Sequence, residues 1–216
     1  MSLEKYIEEL KKTPTASLSD ALNQIGINGT LNVTFHPTLE GVRIAGPAVT
    51  ILHSYSTRRV IPIEAIDAID SAEKGSVIVA AIEGGEAEDI ALFGGLMSLA
   101  SKVRGLEGAV MCGAIRDLRE IKEMRFQVFY RFLSPNTSVG RTEIKAVNAP
   151  LKYGGVIINP GDIVVGDDDG IVVIPKDKVV EVIERAKRID ELERKESEEI
   201  KKGRPFSQVI REYARV

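Results

Sequence analysis

From Ser76 to Asp117 the chain reads SVIVAAIEGGEAEDIALFGGLMSLASKVRGLEGAVMCGAIRD, and this stretch decides the fold. Ser76–Ile82 (SVIVAAI) is a nearly continuous apolar run of strand length, as expected of a strand buried on both faces. A loop with Gly84, Gly85 and several acids follows. Leu92, Leu96, Leu99 and Val103 then recur at helical spacing, and Gly105 sits just past the expected helix end. Gly108–Gly113 (GAVMCG) is a second buried strand, leading into Ala114-Ile115-Arg116-Asp117. Strand, helix, strand in that order predicts a parallel β-α-β unit with a right-handed crossover. The fold class is therefore α/β.

On the N-terminal side, Leu3–Lys12 reads as a short amphipathic helix stopped by Pro14. Thr15 or Ser17 is a candidate cap for a second helix, Ser19–Gln24, which ends at Gly26. Val33–Gly41 is irregular. Val42–His53 carries β-formers interrupted by Gly46–Pro47, which predicts strand, kink, strand. Pro62 suits the first turn of a helix bearing Ile63, Ile66 and Ile69, closed by Gly75. On the C-terminal side come a short helix near Leu118–Glu123, a strand Gln127–Phe132 and a loop around Ser134–Gly140. Three β segments follow, Gly155–Ile158, Asp162–Val165 and Gly170–Ile174, with turns at Asn159-Pro160-Gly161 and Asp167–Gly170. Pro175 introduces a long helix with Val179, Ile183, Ala186 and Ile189 inward. Residues 1–190 thus read as one α/β domain, and residues 191–216 as a charged helical C-terminal extension with a terminal arm from Gly203.

Bulk properties narrow the function. The 216 residues are 44% hydrophobic and 28% charged, an ordinary globular composition. A net charge of -3 gives no electrostatic reason to expect a nucleic-acid partner. A single cysteine, Cys112, excludes an internal disulfide framework and a multi-thiolate metal site. The first ten residues do not read as a signal peptide and no apolar run reaches spanning length, so a cytoplasmic protein with no membrane partner is expected.

Strand direction locates the chemistry. In a parallel β-α-β unit the helix starts at the edge where the second strand ends, so Gly94–Met97 and Arg116–Asp117 should meet despite the 20 residues between Gly95 and Arg116. Gly94 and Gly95 remove side chains from a helix start, letting the amides of Leu96 and Met97 approach a carboxylate or phosphate. Arg116 offers a planar fork for a carboxylate. Asp117 is a hard oxygen ligand for Mg²⁺ or Mn²⁺, and Glu120, three residues on, can hold metal-bound water. His36 and His53 lack a partner motif, Cys112 lies in a buried strand, and Asp167–Asp169 is better read as a hairpin turn than as a metal cluster. Arg58–Arg59 reads as a solvated pair, with an anionic substrate tail as the alternative.

At these residues the chain resembles the RraA-like family, which includes the 4-hydroxy-4-methyl-2-oxoglutarate/4-carboxy-4-hydroxy-2-oxoadipate aldolases and carries an older label of demethylmenaquinone methyltransferase. The matching stretches are Ser19-Asp20-Ala21-Leu22, Ala45–Thr50 (AGPAVT) and Gly94-Gly95-Leu96-Met97 leading through Arg104-Gly105 to Gly113–Asp117 (GAIRD). Asn159-Pro160-Gly161-Asp162 and Gly166–Pro175 (GDDDGIVVIP) complete them. The resemblance implies a three-layer β/β/α swivelling fold and a homotrimer or dimer of trimers (a hexamer). It implies a metal-dependent lyase, an aldolase or decarboxylase acting on a small 2-oxo acid through a pyruvate enolate. It gives Asp117 to Mg²⁺ and Arg116 to the substrate, and the Leu96 and Met97 amides to the pyruvate carboxylate. One departure stands out: the aldolase pattern has an acid 21 positions before the arginine, where this chain has Gly95. The acids of Glu83–Asp89, or one from a neighbouring subunit, are candidate substitutes. A rival reading is a regulatory protein that inhibits a partner enzyme such as a ribonuclease, as some family members do. The methyltransferase label is set aside, because no glycine-rich cofactor loop follows an N-terminal strand.

Overall fold

The computed structural model describes residues 3–213. Helices α1 (Leu3–Leu10) and α2 (Thr15–Asn23) are followed by strands β1 (His36–Pro37) and β2 (Ile44–Tyr55), then helix α3 (Ile63–Ser71). The central segment runs β3 (Val77–Ile82), β4 (Ala87–Phe93), α4 (Gly95–Val103), β5 (Gly108–Ile115), α5 (Leu118–Glu123) and β6 (Val128–Leu133). Then come β7 (Thr142–Val147), β8 (Leu151–Tyr153), β9 (Val156–Ile158), β10 (Ile163–Asp167) and β11 (Gly170–Ile174). Helices α6 (Val179–Lys201) and α7 (Phe206–Glu212) end the described chain, and residues 214–216 of the expected terminal arm lie outside it.

The main sheet has the order β1-β6-β5-β3-β2-β10-β11 and curls because two of its strands change partners along their length. β2 is one continuous strand, not two. Its first four residues pair with β10, and beyond Pro47 its two edges pair with β3 and β7. The Gly46–Pro47 step is therefore a change of partner. A Cβ on Gly46 would stand 2.1 Å from the Gly75 carbonyl oxygen, so only glycine allows the sheet to close there. β5 behaves similarly: β3 pairs with its first half and β4 takes over beside Gly113–Ile115, all parallel. The β3–β5 pairing is the expected parallel unit.

Three apolar clusters separate the layers. One lies between the sheet and α3, α4 and α5, around Ile78, Met111, Ile115 and Ile121. A second lies inside the curl, where Val79, Val110 and Phe129 meet the β8–β9 hairpin. The third joins α1, α2 and α6 to β10 and β11, with Val179, Ile183, Ala186 and Ile189 inward as their spacing predicts. α6 runs unbroken across residue 190.

Several local expectations need correction. α2 begins at Thr15, and neither Thr15 nor Ser17 caps it. The cap comes from across the fold: Asp167 accepts the Thr15 amide at 3.0 Å and its hydroxyl at 2.6 Å. Asp167 pairs with Gly170 across the tight β10–β11 turn, so the aspartate run is indeed a hairpin. β1 lies in a region read as irregular, while β7 and β8 fall where no strand was expected. The largest correction concerns Leu92. It belongs to β4, because Gly94 is extended (φ -153°, ψ -170°) and breaks the register before α4 begins. Consequently α4 turns Met97, Ala100, Ser98 and Ser101 inward, and leaves Leu96, Leu99 and Val103 exposed at 85%, 47% and 77%.

His53 is buried between β2 and β7, with Nδ1 3.2 Å from Thr142 Oγ1, and burial pushes its pKa down to about 4. The folded protein keeps this ring neutral down to that pH, whereas the unfolded chain protonates it near pH 6.5. Stability is thus fully present above pH 6.5 and falls toward pH 4, by about 1.4 kcal/mol per pH unit for this one group. Urea midpoints from pH 7 to 4.5 should show that slope flatten in His53→Gln; an unchanged slope would remove His53 as its source.

Candidate active site

The C-terminal ends of β4 and β5 lie side by side, tied by the Arg116 amide donating to the Phe93 carbonyl at 3.1 Å. The chain leaves β4 into α4 and β5 into α5 at this one edge. Asp117 makes the second turn in the left-handed region (φ 59°, ψ 33°), which aspartate tolerates better than most residues. That conformation aims its carboxylate at the start of α4, where Oδ2 accepts the Gly95 amide at 2.9 Å. No side chain of Gly94 caps α4, so Asp117 caps it from the neighbouring strand.

Among the described residues, the Leu96 and Met97 amides have no acceptor, since the first helical bond is Ser98 to Gly94. Two free N–H groups therefore remain at this helix N-terminus for an anion. Arg116 Nε lies 3.6 Å from Asp117 Oδ2, with the two side chains 44% and 38% exposed, an ion pair of little energetic weight in itself. The guanidinium's other donors stay available. Glu120, on the first turn of α5, completes the group. A Cβ added to Gly95 would lie 2.6 Å from Glu120 Oε2, so this carboxylate occupies the space a side chain at 95 would take. Gly94 is constrained by the same neighbours, with Asp117 Oδ2 2.8 Å from its absent Cβ.

Gly94, Gly95, Leu96, Met97, Arg116, Asp117 and Glu120 all line one hollow of about 400 Å³. Its other wall was not anticipated. Ile61, Pro62 and Ile66 supply apolar surface, and the segment Thr137–Val139 crosses it. No motif marks these residues; they arrive by tertiary placement alone. The acids of the β3–β4 segment do not line this hollow. Glu83 pairs with Lys145, and Glu86 is held by Arg131 at 3.1 Å and Tyr153 at 2.9 Å. No cluster of three or more His, Cys, Asp or Glu side chains with metal-binding geometry occurs among the described residues. Cys112 is fully buried, and that burial raises its pKa and keeps the thiol protonated.

The profile of the RraA-like family, described as Aldolase/RraA, matches residues 15–173. The chain belongs to the RraA-like family. It is 38% identical over 175 residues to an uncharacterized protein of Methanocaldococcus jannaschii, covering 81% of each chain. It is 35% identical over 183 residues, 85% of this chain and 82% of the relative, to a Halalkalibacterium halodurans protein named "Putative 4-hydroxy-4-methyl-2-oxoglutarate aldolase". Among solved structures, a Streptomyces coelicolor protein described as an unusual member of the RNase ES inhibitor RraA family superposes with a TM-score of 0.78. It shares 26% identity, with 88% of this chain and 94% of that one covered. Family and fold thus agree with the mixed α/β architecture, its curled sheet and its C-terminal helix. Among the described residues no helix is long and apolar enough to cross a membrane.

Asp117 carries a structural load separable from chemistry. Asp117→Asn should retain most of the cap and the left-handed turn. Asp117→Ala should lose the Gly95 bond and cost about 1–2 kcal/mol, read as a shift of the urea midpoint. Equal midpoints for the two variants would mean that the Gly95 bond contributes nothing to stability.

Proposed function

We propose that the protein is a lyase, an aldolase or decarboxylase, that breaks the C3–C4 bond of a small 2-oxo acid and releases pyruvate. The observation that carries this reading is one hollow holding two free helix-start amides, a guanidinium with donors to spare and two carboxylates. The Leu96 and Met97 amides bind the substrate carboxylate. Arg116 faces the 2-oxo oxygen, where negative charge develops as the bonding pair of the broken C–C bond moves into the enolate. Protonation of the enolate carbon then yields pyruvate.

A divalent cation, Mg²⁺ or Mn²⁺, fits the donors present. Asp117 Oδ1 has no hydrogen-bond partner among the described residues, and the Glu120 carboxylate stands beside Gly95, both hard oxygen donors. Asp117 would hold the ion, with Glu120 reaching it through water, and the ion would supply Lewis-acid stabilisation of the enolate oxygen. Glu120 also answers the missing acid at position 95, because its carboxylate fills that volume from a different element. In aldol cleavage it would take the proton of the substrate hydroxyl, and in decarboxylation no such base is needed, since carbon dioxide leaves directly.

The deciding assay incubates the protein with oxaloacetate and with 4-hydroxy-4-methyl-2-oxoglutarate, with Mg²⁺ or EDTA, and measures pyruvate. Metal-dependent release from at least one is expected; none from either would overturn the reading. Arg116→Ala should lower kcat roughly a hundredfold or more. Glu120→Gln should impair aldol cleavage more than decarboxylation.

We further infer that the protein acts as a homo-oligomer, a trimer or dimer of trimers. The outward Leu96, Leu99 and Val103 of α4 form an apolar stripe beside the site, while the same helix buries two serines, Ser98 and Ser101. Such a stripe suits a protein contact, and it is also the surface on which a regulatory reading would rely. Leu99→Glu with Val103→Glu should reduce the mass measured by light scattering. An unchanged mass, or a monomeric wild type, would sink this assignment.

A further inference from the structure

The candidate site has two unlike halves. One is the corner formed by the Leu96 and Met97 amides, Arg116, Asp117 and Glu120. The other carries no charge: Ile61, Pro62, Ile66 and Val139 give it an apolar surface, and Thr137 and Ser138 add only neutral hydroxyls. At about 400 Å³ the hollow exceeds what a pyruvate unit fills, so a ligand anchored in the corner has room to extend along the uncharged half. That half is held rigidly. Pro62 (φ -75°, ψ 64°) makes an inverse γ-turn in which the Ile61 carbonyl accepts the Ile63 amide at 2.8 Å, and its ring fixes φ. The Pro62 carbonyl then accepts the Ala65 and Ile66 amides at 3.1 and 3.2 Å, which sets Ile66 on the first turn of α3. Residues 137–139 are tied from both sides. The Asn136 carbonyl accepts the Ala91 amide at 2.9 Å, and the Ser138 carbonyl accepts the Arg141 and Thr142 amides at 2.9 and 2.8 Å.

Within this wall Ile61 stays 68% exposed. A large aliphatic side chain fixed at the rim of a polar corner and left in water is stabilised once an apolar group covers it, at little cost in ordering the protein. Charge points the same way. Among the described residues Arg116 is the only cationic side chain lining the hollow, and the lyase reading assigns it to the 2-oxo oxygen. A second carboxylate on the ligand would enter a space that already holds Asp117 and Glu120, with no cation left to receive it. Arg58 and Arg141 line a separate hollow, where Arg58 pairs with Glu143 at 3.1 Å and Arg141 donates to the Thr137 carbonyl at 3.2 Å. Arg59 lines neither hollow.

We propose that the site prefers 2-oxo acids with a single carboxylate and an aliphatic tail, covered by Ile61, Pro62, Ile66 and Val139, over dicarboxylic 2-oxo acids. The proposal rests on the lyase reading for the end of the ligand held in the corner, and it names the chemistry of the other end. Oxaloacetate and 4-hydroxy-4-methyl-2-oxoglutarate are then turned over as the poorer class of substrate. Ile61 and Val139 determine specificity by covering the tail and touch none of the reacting atoms.

The test measures binding, so it does not depend on turnover. The full chain with Mg²⁺ is titrated by calorimetry with 2-oxobutanoate, 2-oxopentanoate, 2-oxohexanoate and 2-oxoglutarate, none of which carries the C4 hydroxyl that aldol cleavage requires. Affinity should rise about fourfold per methylene along the first three. The dicarboxylate 2-oxoglutarate should bind roughly tenfold or more weakly than 2-oxohexanoate. Ile61→Arg changes an exposed side chain and puts a cation at the rim, so it should shift the ranking toward 2-oxoglutarate, with circular dichroism verifying the fold. Binding of 2-oxoglutarate as tight as that of 2-oxohexanoate, affinity independent of tail length, a ranking that Ile61→Arg leaves unchanged, or no binding of any of the four overturns the proposal. Such a result together with pyruvate release in the lyase assay leaves the lyase reading standing. Tail-dependent binding without pyruvate release sinks the lyase reading alone.

Discussion

The hydrogen bond from the Gly95 amide to the Asp117 carboxylate is the joint on which the site depends. It connects two chain exits that sequence separates widely but parallel pairing brings to one sheet edge. A helix N-terminus without a side-chain cap leaves amides that need an acceptor, and a carboxylate supplies charge of the favourable sign there. By taking only the first amide, Asp117 fixes the direction of α4 and leaves the next two amides facing the hollow. The same carboxylate is thereby positioned beside Arg116 and Glu120. One side chain thus caps the helix and borders the hollow, from a left-handed backbone that aspartate tolerates better than most residues.

The paired glycines are a consequence of that crowding. At 94 and 95 any side chain would meet Asp117, Arg116 or Glu120 within about 3 Å. For Gly95 the neighbour is the mobile end of a glutamate, so a larger residue there is excluded only while Glu120 holds its present place. Position 95 and position 120 compete for one volume. In this chain the carboxylate that fills this volume comes from position 120, on α5.

Much of this arrangement was legible because it follows from topology. Two buried strands of the right length with a helix between them fix parallel direction, and direction fixes which loop ends meet; hence Gly94–Met97, Arg116, Asp117 and Glu120 fall in one hollow. The misreadings arose where local pattern and tertiary partner disagree. Leu92 lies on helical spacing with Leu96 and Leu99, yet Gly94 resets the backbone between them. β4 hides behind acids because only its second half, from Ile90, is continuously buried. β7 alternates polar and apolar residues, but its half-exposed position mutes the contrast. The Asp167 cap and the Thr137–Val139 wall depend on contacts across the fold that no short-range signal encodes.

α4 carries the last consequence. Its buried face includes Ser98 and Ser101, whose hydroxyls have no partner among the described residues, while its outer face carries two leucines and a valine. For an isolated chain this is the reverse of the stable order: burying an unpaired hydroxyl costs about 1–3 kcal/mol, and an exposed leucine forgoes a comparable gain. Small residues inward let α4 sit close to the sheet, which its glycine start requires if the free amides are to reach the hollow. The apolar stripe outward recovers stability only when another surface covers it. Because the stripe begins at Leu96, one of the two residues with free amides, any surface packed on it also borders the hollow and restricts water there. A surface that covers the stripe would therefore act on the site as well, through a single nine-residue helix.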